Sequence, residues 1–317
     1  MKGISPNLET SFSVSLCKLN SYDSSLGCEG NNMYLPHFRF RLLLPMIALV
    51  GMIDTSFAES KINADIYLKA YPDYVDKITG DSIIWKDGST LPLTDSPTAE
   101  KTVLEKLENP SLLDQISIPY PPGKEYKTRI AEANYDPGRL RNLNFFKKMY
   151  GHTKAEVANN LVTVAWLPKS FPDKYSINVT KINDVSEKIK QISAELDQLP
   201  DEYKKYLENP GGTFNWRNIA GTDRLSAHSF GMTIDINVNY SNYWLWDYKK
   251  SAGVPSSSNI PEAEIAPHQL PSYRNHIPFE IVEIFEKHGF IWGGKWNHYD
   301  TMHFEYRPEL LVENESK

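Results

Sequence analysis

Two short segments, far apart in the chain, contain side chains of the types that bind a catalytic metal ion. The first, residues 226–235, contains His228 and Asp235, and the second, residues 299–305, contains His303. Two imidazoles and one carboxylate form a ligand set of catalytic zinc sites, in which one position stays open for water. Asp300 precedes His303 by three residues and supplies a second carboxylate for proton transfer. These residues predict one zinc ion per chain.

Strand patterns place the predicted ligands where they can meet. Asp235 lies on the polar face of residues 232–239, a predicted strand in which apolar and polar residues alternate. His303 and Glu305 are two residues apart and therefore share one face of a second predicted strand. If the two polar faces adjoin, Asp235 and His303 converge. A turn at Gly231 then allows His228 to fold back towards them.

Together, the two segments resemble the zinc peptidases of the D-alanyl-D-alanine carboxypeptidase family. Residues 226–235 read Ser-x-His-x-x-Gly-x-Thr-x-Asp, and residues 300–305 read Asp-x-x-His-Phe-Glu. The family contains bacterial D-alanyl-D-alanine carboxypeptidases and dipeptidases, and L-alanyl-D-glutamate endopeptidases that trim peptidoglycan. The Asp-x-x-His ending of this chain resembles the endopeptidase branch of the family. The carboxypeptidase branch has Glu-x-x-His at this place and is less similar. The resemblance covers residues 217–305, with a weaker likeness back to residue 136.

The resemblance implies a role for each matching residue. Three residues would bind zinc: His228, Asp235 and His303. Asp300 would be the general base for a metal-activated water that hydrolyses peptidoglycan stem peptides, by D-Ala-D-Ala carboxypeptidase or L-Ala-D-Glu endopeptidase action. Ser226 would hydrogen-bond to substrate or to a ligand loop, and Glu305 would accept a hydrogen bond from a ligand histidine.

Other residues near the motifs are candidates for contact with the substrate. A cation is expected to stabilise the developing oxyanion. Arg217 and Arg224 are the nearest candidates in sequence, and Arg139 and Arg141 are more distant ones. His298 precedes Asp300, the predicted base, by two residues, which is close enough in sequence for its side chain to contact substrate.

The patterns around the motifs predict an α+β fold with a mainly antiparallel sheet and flanking helices. Residues 160–167 and 301–306 have strand patterns, whereas residues 181–199 and 279–288 have the spacing of helices. Long segments separate the strands, and the sequence contains no βαβ repeat and no phosphate-binding glycine loop. This agrees with the resemblance, which implies the zinc fold of hedgehog proteins and D-alanyl-D-alanine peptidases.

The same patterns predict the organisation of the chain. The peptidase domain is expected at residues 136–310, followed by a C-terminal tail at 311–317. The N-terminal segment, residues 59–135, has no recognisable chemistry, and its role is unknown. Residues 1–58 are expected to be an N-terminal extension with a signal peptide.

The beginning of the chain predicts export. A basic stretch, an apolar core at residues 42–53 and a small-x-small sequence ending at Ala58 follow in the order of a secretory signal peptide. The apolar core is too short to span a bilayer comfortably, since about 20 residues are needed. Met33 rather than Met1 is a natural start for this signal. The mature protein is therefore expected in the periplasm or outside the cell, with no transmembrane segment; an uncleaved anchor is the alternative.

Composition narrows the chemistry further. Both cysteines, Cys17 and Cys28, precede the expected cleavage site, so the mature chain would have neither disulfides nor thiolate ligands. The chain has 317 residues, of which 40% are hydrophobic and 23% charged, enough for a full-sized globular core. The net charge of −6 argues against nucleic acid as a partner. The sequence does not indicate an oligomeric state.

Two other functions fit the same residues. A non-catalytic, zinc-containing binding module of the same fold is the main alternative, because the signalling domain of hedgehog proteins resembles this fold and is known chiefly for binding. The presence of Asp300 argues against it. A metal-dependent amidase or esterase is the third hypothesis, because metal-activated water attacks many carbonyls.

Overall fold

The computed structural model of the protein describes residues 62–95, 101–121, 123–219 and 222–312. The predicted signal peptide with its cleavage site, both cysteines and most of the C-terminal tail lie outside these residues. Within the described ranges, no helix is both long enough and apolar enough to cross a membrane.

The strands of the described ranges form three antiparallel sheets. The first sheet has the order β1 (Val75–Ile78), β2 (Ser82–Trp85), β3 (Thr90–Pro92), and the second pairs β4 (Leu161–Ala165) with β5 (Ser176–Thr180). The third sheet consists of β6 (Thr233–Asp235), β7 (Phe290–Trp292) and β8 (His303–Tyr306), with β8 in the centre. Mixed helices and antiparallel sheets confirm the predicted α+β class.

Helices connect and cover these sheets. The α-helices of the described ranges are α1 (Ile66–Ala70), α2 (Val103–Glu108), α3 (Leu112–Gln115), α4 (Leu143–Tyr150), α5 (Lys154–Ala158), α6 (Val185–Leu196), α7 (Lys204–Leu207), α8 (Trp244–Ser251) and α9 (Phe279–Lys287). Short 3₁₀ helices at Ala227–Phe230 and Gly293–Lys295 flank the third sheet. The first of these 3₁₀ helices contains His228 and precedes β6, and the second follows β7 and precedes β8, which begins at His303.

Two of the predicted elements that are shorter in the structure have an identifiable local cause. Helix α6 begins at Val185 because the two residues before it, Asn183 and Asp184, have left-handed φ angles of 55° and 56°. Strand β6 ends at Asp235 because Asn237 turns the chain: its side chain accepts a hydrogen bond from the Asn239 amide at 3.1 Å. Asparagine side chains compete with a strand ladder in this way.

The larger hydrophobic core of the described residues contains side chains from both the N-terminal segment and the rest of the chain. Three aromatic side chains that precede residue 136 lie with their ring centroids 5.3–5.4 Å from the ring of Phe145: Tyr67, Tyr71 and Trp85. Phe145 contacts Phe146, and Phe146 contacts Phe230, which is two residues from His228. The N-terminal segment therefore packs into the core that supports the predicted metal ligands.

Candidate metal centre

The pairing of β6 with β8 places Asp235 directly opposite His303. Cross-strand neighbours on one face are close enough for their side chains to interact. Asp235 Oδ1 lies 3.1 Å from His303 Nδ1. The convergence that the alternating patterns predicted therefore arises from strand register.

His228 reaches the same point from the 3₁₀ helix that precedes β6. Its Nε2 atom lies 3.2 Å from Asp235 Oδ2, and its ring centroid lies 5.2 Å from that of His303. His228 Nδ1 donates a hydrogen bond to the main-chain carbonyl oxygen of Thr213, at 2.7 Å. This bond fixes the tautomer, so that the lone pair of Nε2 is available towards Asp235 and His303.

Gly231 makes the turn between His228 and Asp235 possible. Its φ of +66° is in the left-handed region, which favours glycine. A Cβ atom at this position would lie 2.6 Å from Leu161 Cδ2 and 3.3 Å from the amide nitrogen of Thr180. Conformation and close packing therefore both require glycine at the point where the chain reverses between two candidate ligands.

The three candidate ligands fit a zinc ion. One donor atom from each of His228, Asp235 and His303 can be chosen so that all three lie within 4.8 Å of one another. Both histidines are only 6% exposed, which leaves a protected site with a partly accessible carboxylate. Two imidazole nitrogens and a carboxylate oxygen match the donor set of catalytic zinc sites with an open position.

Glu305 orients His303 from the side away from Asp235. Its Oε2 lies 3.1 Å from His303 Nε2, which donates a hydrogen bond to it. Arg141 holds both oxygens of Glu305, with Nε at 2.8 and 3.0 Å and Nη2 at 2.5 Å. Burial opposes the charge of Glu305, but Arg141, His303 and Arg307 hold its pKa well below the usual range. A carboxylate bonded to the outer nitrogen of a ligand histidine fixes the ring and increases its donor strength.

The charges of the candidate ligands stabilise one another. Burial alone would raise the pKa of Asp235, but His228 and His303 hold it below its usual range. Burial would likewise lower the pKa of His303, but its hydrogen bonds to Asp235 and Glu305 raise it to about 9. The carboxylates of Asp235 and Glu305 thus favour positive charge on His303, and the same electrostatic environment favours a bound cation.

Asp300, the predicted base, differs from the acids that have partners. Its Oδ1 atom is buried and has no hydrogen-bond partner within the described residues. Burial, and next the carboxylate of Asp235, raise the pKa of Asp300 to about 7. The main-chain carbonyl of Asp300 accepts a hydrogen bond from the His303 amide at 3.2 Å, which ties the carboxylate to the start of β8. A buried carboxylate with one unpaired oxygen beside candidate ligands indicates a functional group.

The predicted cations occupy different environments. Arg217 is exposed, and its Nη1 donates to the carbonyl of the next residue at 3.2 Å. Arg224 lies largely buried with Nε 3.3 Å from Glu108 Oε1, and its pKa is lowered by burial and then by Arg139. Arg141, a distant candidate in sequence, is bonded to Glu305, the partner of His303. Distance along the sequence from the motifs therefore did not indicate which arginine is bonded to Glu305.

Ser226 and His298 are the predicted substrate contacts. Ser226 is buried, and its amide donates to the carbonyl of Arg217 at 2.9 Å, but its side chain does not cap the following 3₁₀ helix. His298 is held by Asp136, whose Oδ2 lies 2.6 Å from His298 Nδ1 and whose Oδ1 accepts from the His298 amide at 2.9 Å. The ring of Trp244 lies 4.8 Å from that of His298. Both residues are thus fixed within the fold.

The interpretation of the sequence did not identify several residues that hold the candidate site residues in place. The carbonyl of Thr213 has no sequence signal, because every residue has one. Asp136 was identified only as the first residue of the predicted peptidase domain. Arg307 and Glu309 could have been found, because they continue the every-second-residue pattern of His303 and Glu305.

Comparison with known proteins identifies the same region. Residues 220–306 match the family model described as D-alanyl-D-alanine carboxypeptidase. No curated protein and no solved structure matched the chain. The matched segment contains the three candidate ligands and Asp300, whereas Thr213 and Arg141, which orient the two histidines, lie outside it.

Proposed function

We propose that this protein is an exported, zinc-dependent peptidase that hydrolyses the stem peptides of peptidoglycan. The observation that carries the proposal is the convergence of His228, Asp235 and His303 beside the buried, unpaired carboxylate oxygen of Asp300. The match of residues 220–306 to a D-alanyl-D-alanine carboxypeptidase model supports the substrate class. Export rests on the signal-peptide pattern that ends at Ala58.

The side chains divide the work of peptide hydrolysis. A bound zinc ion would supply Lewis acidity to the scissile carbonyl and to a water molecule. Asp300 accepts a proton from the attacking water and returns it to the leaving amine. Arg139 is already paired with Asp136 and Glu262, and Arg141 with its own carboxylate. Arg224 has a buried Nε without a well-aligned acceptor among the described residues and is the best candidate to stabilise the oxyanion.

The decisive experiment compares wild type with Asp300→Asn on purified muropeptides, with products identified by mass spectrometry. Wild type should cleave, lose activity with a chelator and regain it with zinc. Asp300→Asn should retain one zinc per chain and lose activity by about 100-fold or more, because proton transfer is removed and the ligands are not. Release of D-alanine would identify a carboxypeptidase, and cleavage between L-alanine and D-glutamate an endopeptidase.

Asp223→Asn is the matched control, because Asp223 is an exposed aspartate three residues before the first motif. It should behave as wild type. Full activity of Asp300→Asn would exclude Asp300 as the base. Stoichiometric zinc without cleavage of any muropeptide by wild type would favour the non-catalytic binding module instead.

A further inference from the structure

A chain of buried charged side chains leads away from the metal centre along β8 and beyond its end. Every second residue contributes to it: His303, Glu305, Arg307 and Glu309. The last three are at most 1% exposed. Arg307 Nη1 donates to Glu305 Oε1 at 3.1 Å, and Arg307 Nε donates to Glu309 Oε1 at 2.6 Å. Arg307 therefore joins the carboxylate that orients His303 to a second buried carboxylate.

The N-terminal segment holds the far end of this chain. The hydroxyl of Tyr71, the residue that follows α1, donates to Glu309 Oε2 at 2.6 Å, and Gln115 Nε2 in α3 donates to Glu309 Oε1 at 3.2 Å. The other end of the Gln115 amide is fixed too, because its Oε1 accepts from the Asn142 amide at 2.8 Å. Both oxygens of Glu309 are thus bound by side chains that precede the matched segment by more than 100 residues.

The arginines and glutamates of this buried network balance one another in charge. Arg141 and Arg307 face Glu305 and Glu309, two positive charges against two negative ones. Buried ion pairs of this kind are weak evidence for net stability, but removal of one partner leaves a buried charge uncompensated. Each member therefore affects the electrostatic potential at its neighbours.

We propose that Arg307 and Glu309, anchored by Tyr71 and Gln115, are positioning residues that set the metal affinity of the centre through His303. The inference rests on the proposed metal binding and assigns a role to the N-terminal segment. Without the charge of Glu309, Arg307 would neutralise Glu305 more completely, so that Glu305 would accept more weakly from His303. The buried chain would also gain one positive charge beside a cation site. Both effects lower metal affinity.

Zinc affinity, measured by competition with a chromophoric chelator well below the unfolding temperature, tests this proposal. Glu309→Gln should raise the dissociation constant roughly tenfold, the lower end of the effect of outer-shell partners. Tyr71→Phe keeps every charge and should raise it less, by about threefold. Tyr135→Phe is the control, because its buried hydroxyl also lies in the N-terminal segment but donates to the carbonyl of Pro119, at 2.6 Å.

A purely structural role predicts a different result. It would lower the unfolding temperature of the metal-free variants, as Tyr135→Phe should, and leave zinc affinity unchanged; this outcome would overturn the proposal. If Glu309→Gln does not fold, Tyr71→Phe decides alone, because it removes one hydroxyl from a chain whose charges are intact. Failure of wild type to bind zinc would overturn both this inference and the proposed function, whereas unchanged affinity of the variants overturns only the inference.

Discussion

Thr233 and Asp300 both have a buried side-chain oxygen without a hydrogen-bond partner within the described residues. Asp300 lies beside the candidate ligands, where its unpaired oxygen would serve the proposed proton transfer. Thr233 lies in β6 opposite Glu305, and it occupies the threonine position of the sequence motif. Thr233 thus matches the motif although its hydroxyl makes no hydrogen bond within the described residues.

Thr233→Val should stabilise the protein by about 1 kcal/mol, because the desolvation cost of an unpaired hydroxyl is removed at nearly constant shape. Urea unfolding of wild type and variant measures the difference. Thr180→Val is the matched control: Thr180 is equally buried in a strand, but its Oγ1 accepts a hydrogen bond from the Ile182 amide at 3.2 Å. This control should be destabilised, and an equal loss in Thr233→Val would contradict the prediction.

The grouping of the candidate residues was predictable at this scale because side-chain type and spacing indicate it. The three candidate ligands and Asp300 were identified as a group, and the structure brings them together. The support of His228 was not predictable, because it comes from a main-chain carbonyl. The support of His303 by Arg141 required knowledge of which distant segments pack together.

At the scale of elements, the turn at Gly231 determines whether His228 and Asp235 can face one another. Gly231→Ala should destabilise the protein by about 3 kcal/mol, because a strained φ is combined with a clash against Leu161. Gly88→Ala is the matched control: its φ is +82°, but nothing lies within 4 Å of the added Cβ. It should lose only about 1 kcal/mol. Equal losses in urea unfolding would show that packing around Gly231 does not matter.

The types of the principal elements were predictable from periodicity, but their ends were not. Alternation identified β6 and β8, and the register between them follows from burying their apolar faces. Asn183, Asp184 and Asn237 ended or delayed elements through local backbone conformations and side-chain bonds. Such choices depend on small energy differences that a hydrophobic pattern does not contain.

At the scale of the whole molecule, Asp136 links the loop before α4 to the loop that contains His298. Burial would raise the pKa of Asp136, but Arg139 and His298 lower it to about 2 from 3.8. A lowered pKa in the folded state stabilises the protein above pH 4, and this contribution is lost as pH falls towards 2. The shift corresponds to about 2 kcal/mol.

The unfolding free energy of Asp136→Asn should therefore be lower than that of wild type near neutral pH, with the difference shrinking by about 2 kcal/mol between pH 4 and 2. Urea titrations at several pH values measure this difference. Asp76→Asn, at an exposed position of β1, should follow wild type throughout. A difference for Asp136→Asn that does not change with pH would contradict the assignment.

The position of the N-terminal segment could not be predicted from its own residues. Its helices are short, and their apolar positions are also compatible with a separate small unit. Contacts such as Tyr71 with Glu309 join positions 238 residues apart, and no local pattern indicates them. Long-range packing of this kind determines which polar groups share a buried network. Composition and sequence motifs do not predict it.

The two histidines differ in how readily evolution can adjust them. His228 is oriented by the carbonyl oxygen of Thr213, which no side-chain replacement removes. His303 is oriented by Glu305 and, through it, by side chains that single-nucleotide changes can alter. Inherited variation can therefore tune this centre through one ligand and leave the other constant. His303, the histidine with the replaceable support, is the one through which natural selection, or a protein engineer, could alter the affinity of the proposed metal site and leave the candidate ligands unchanged.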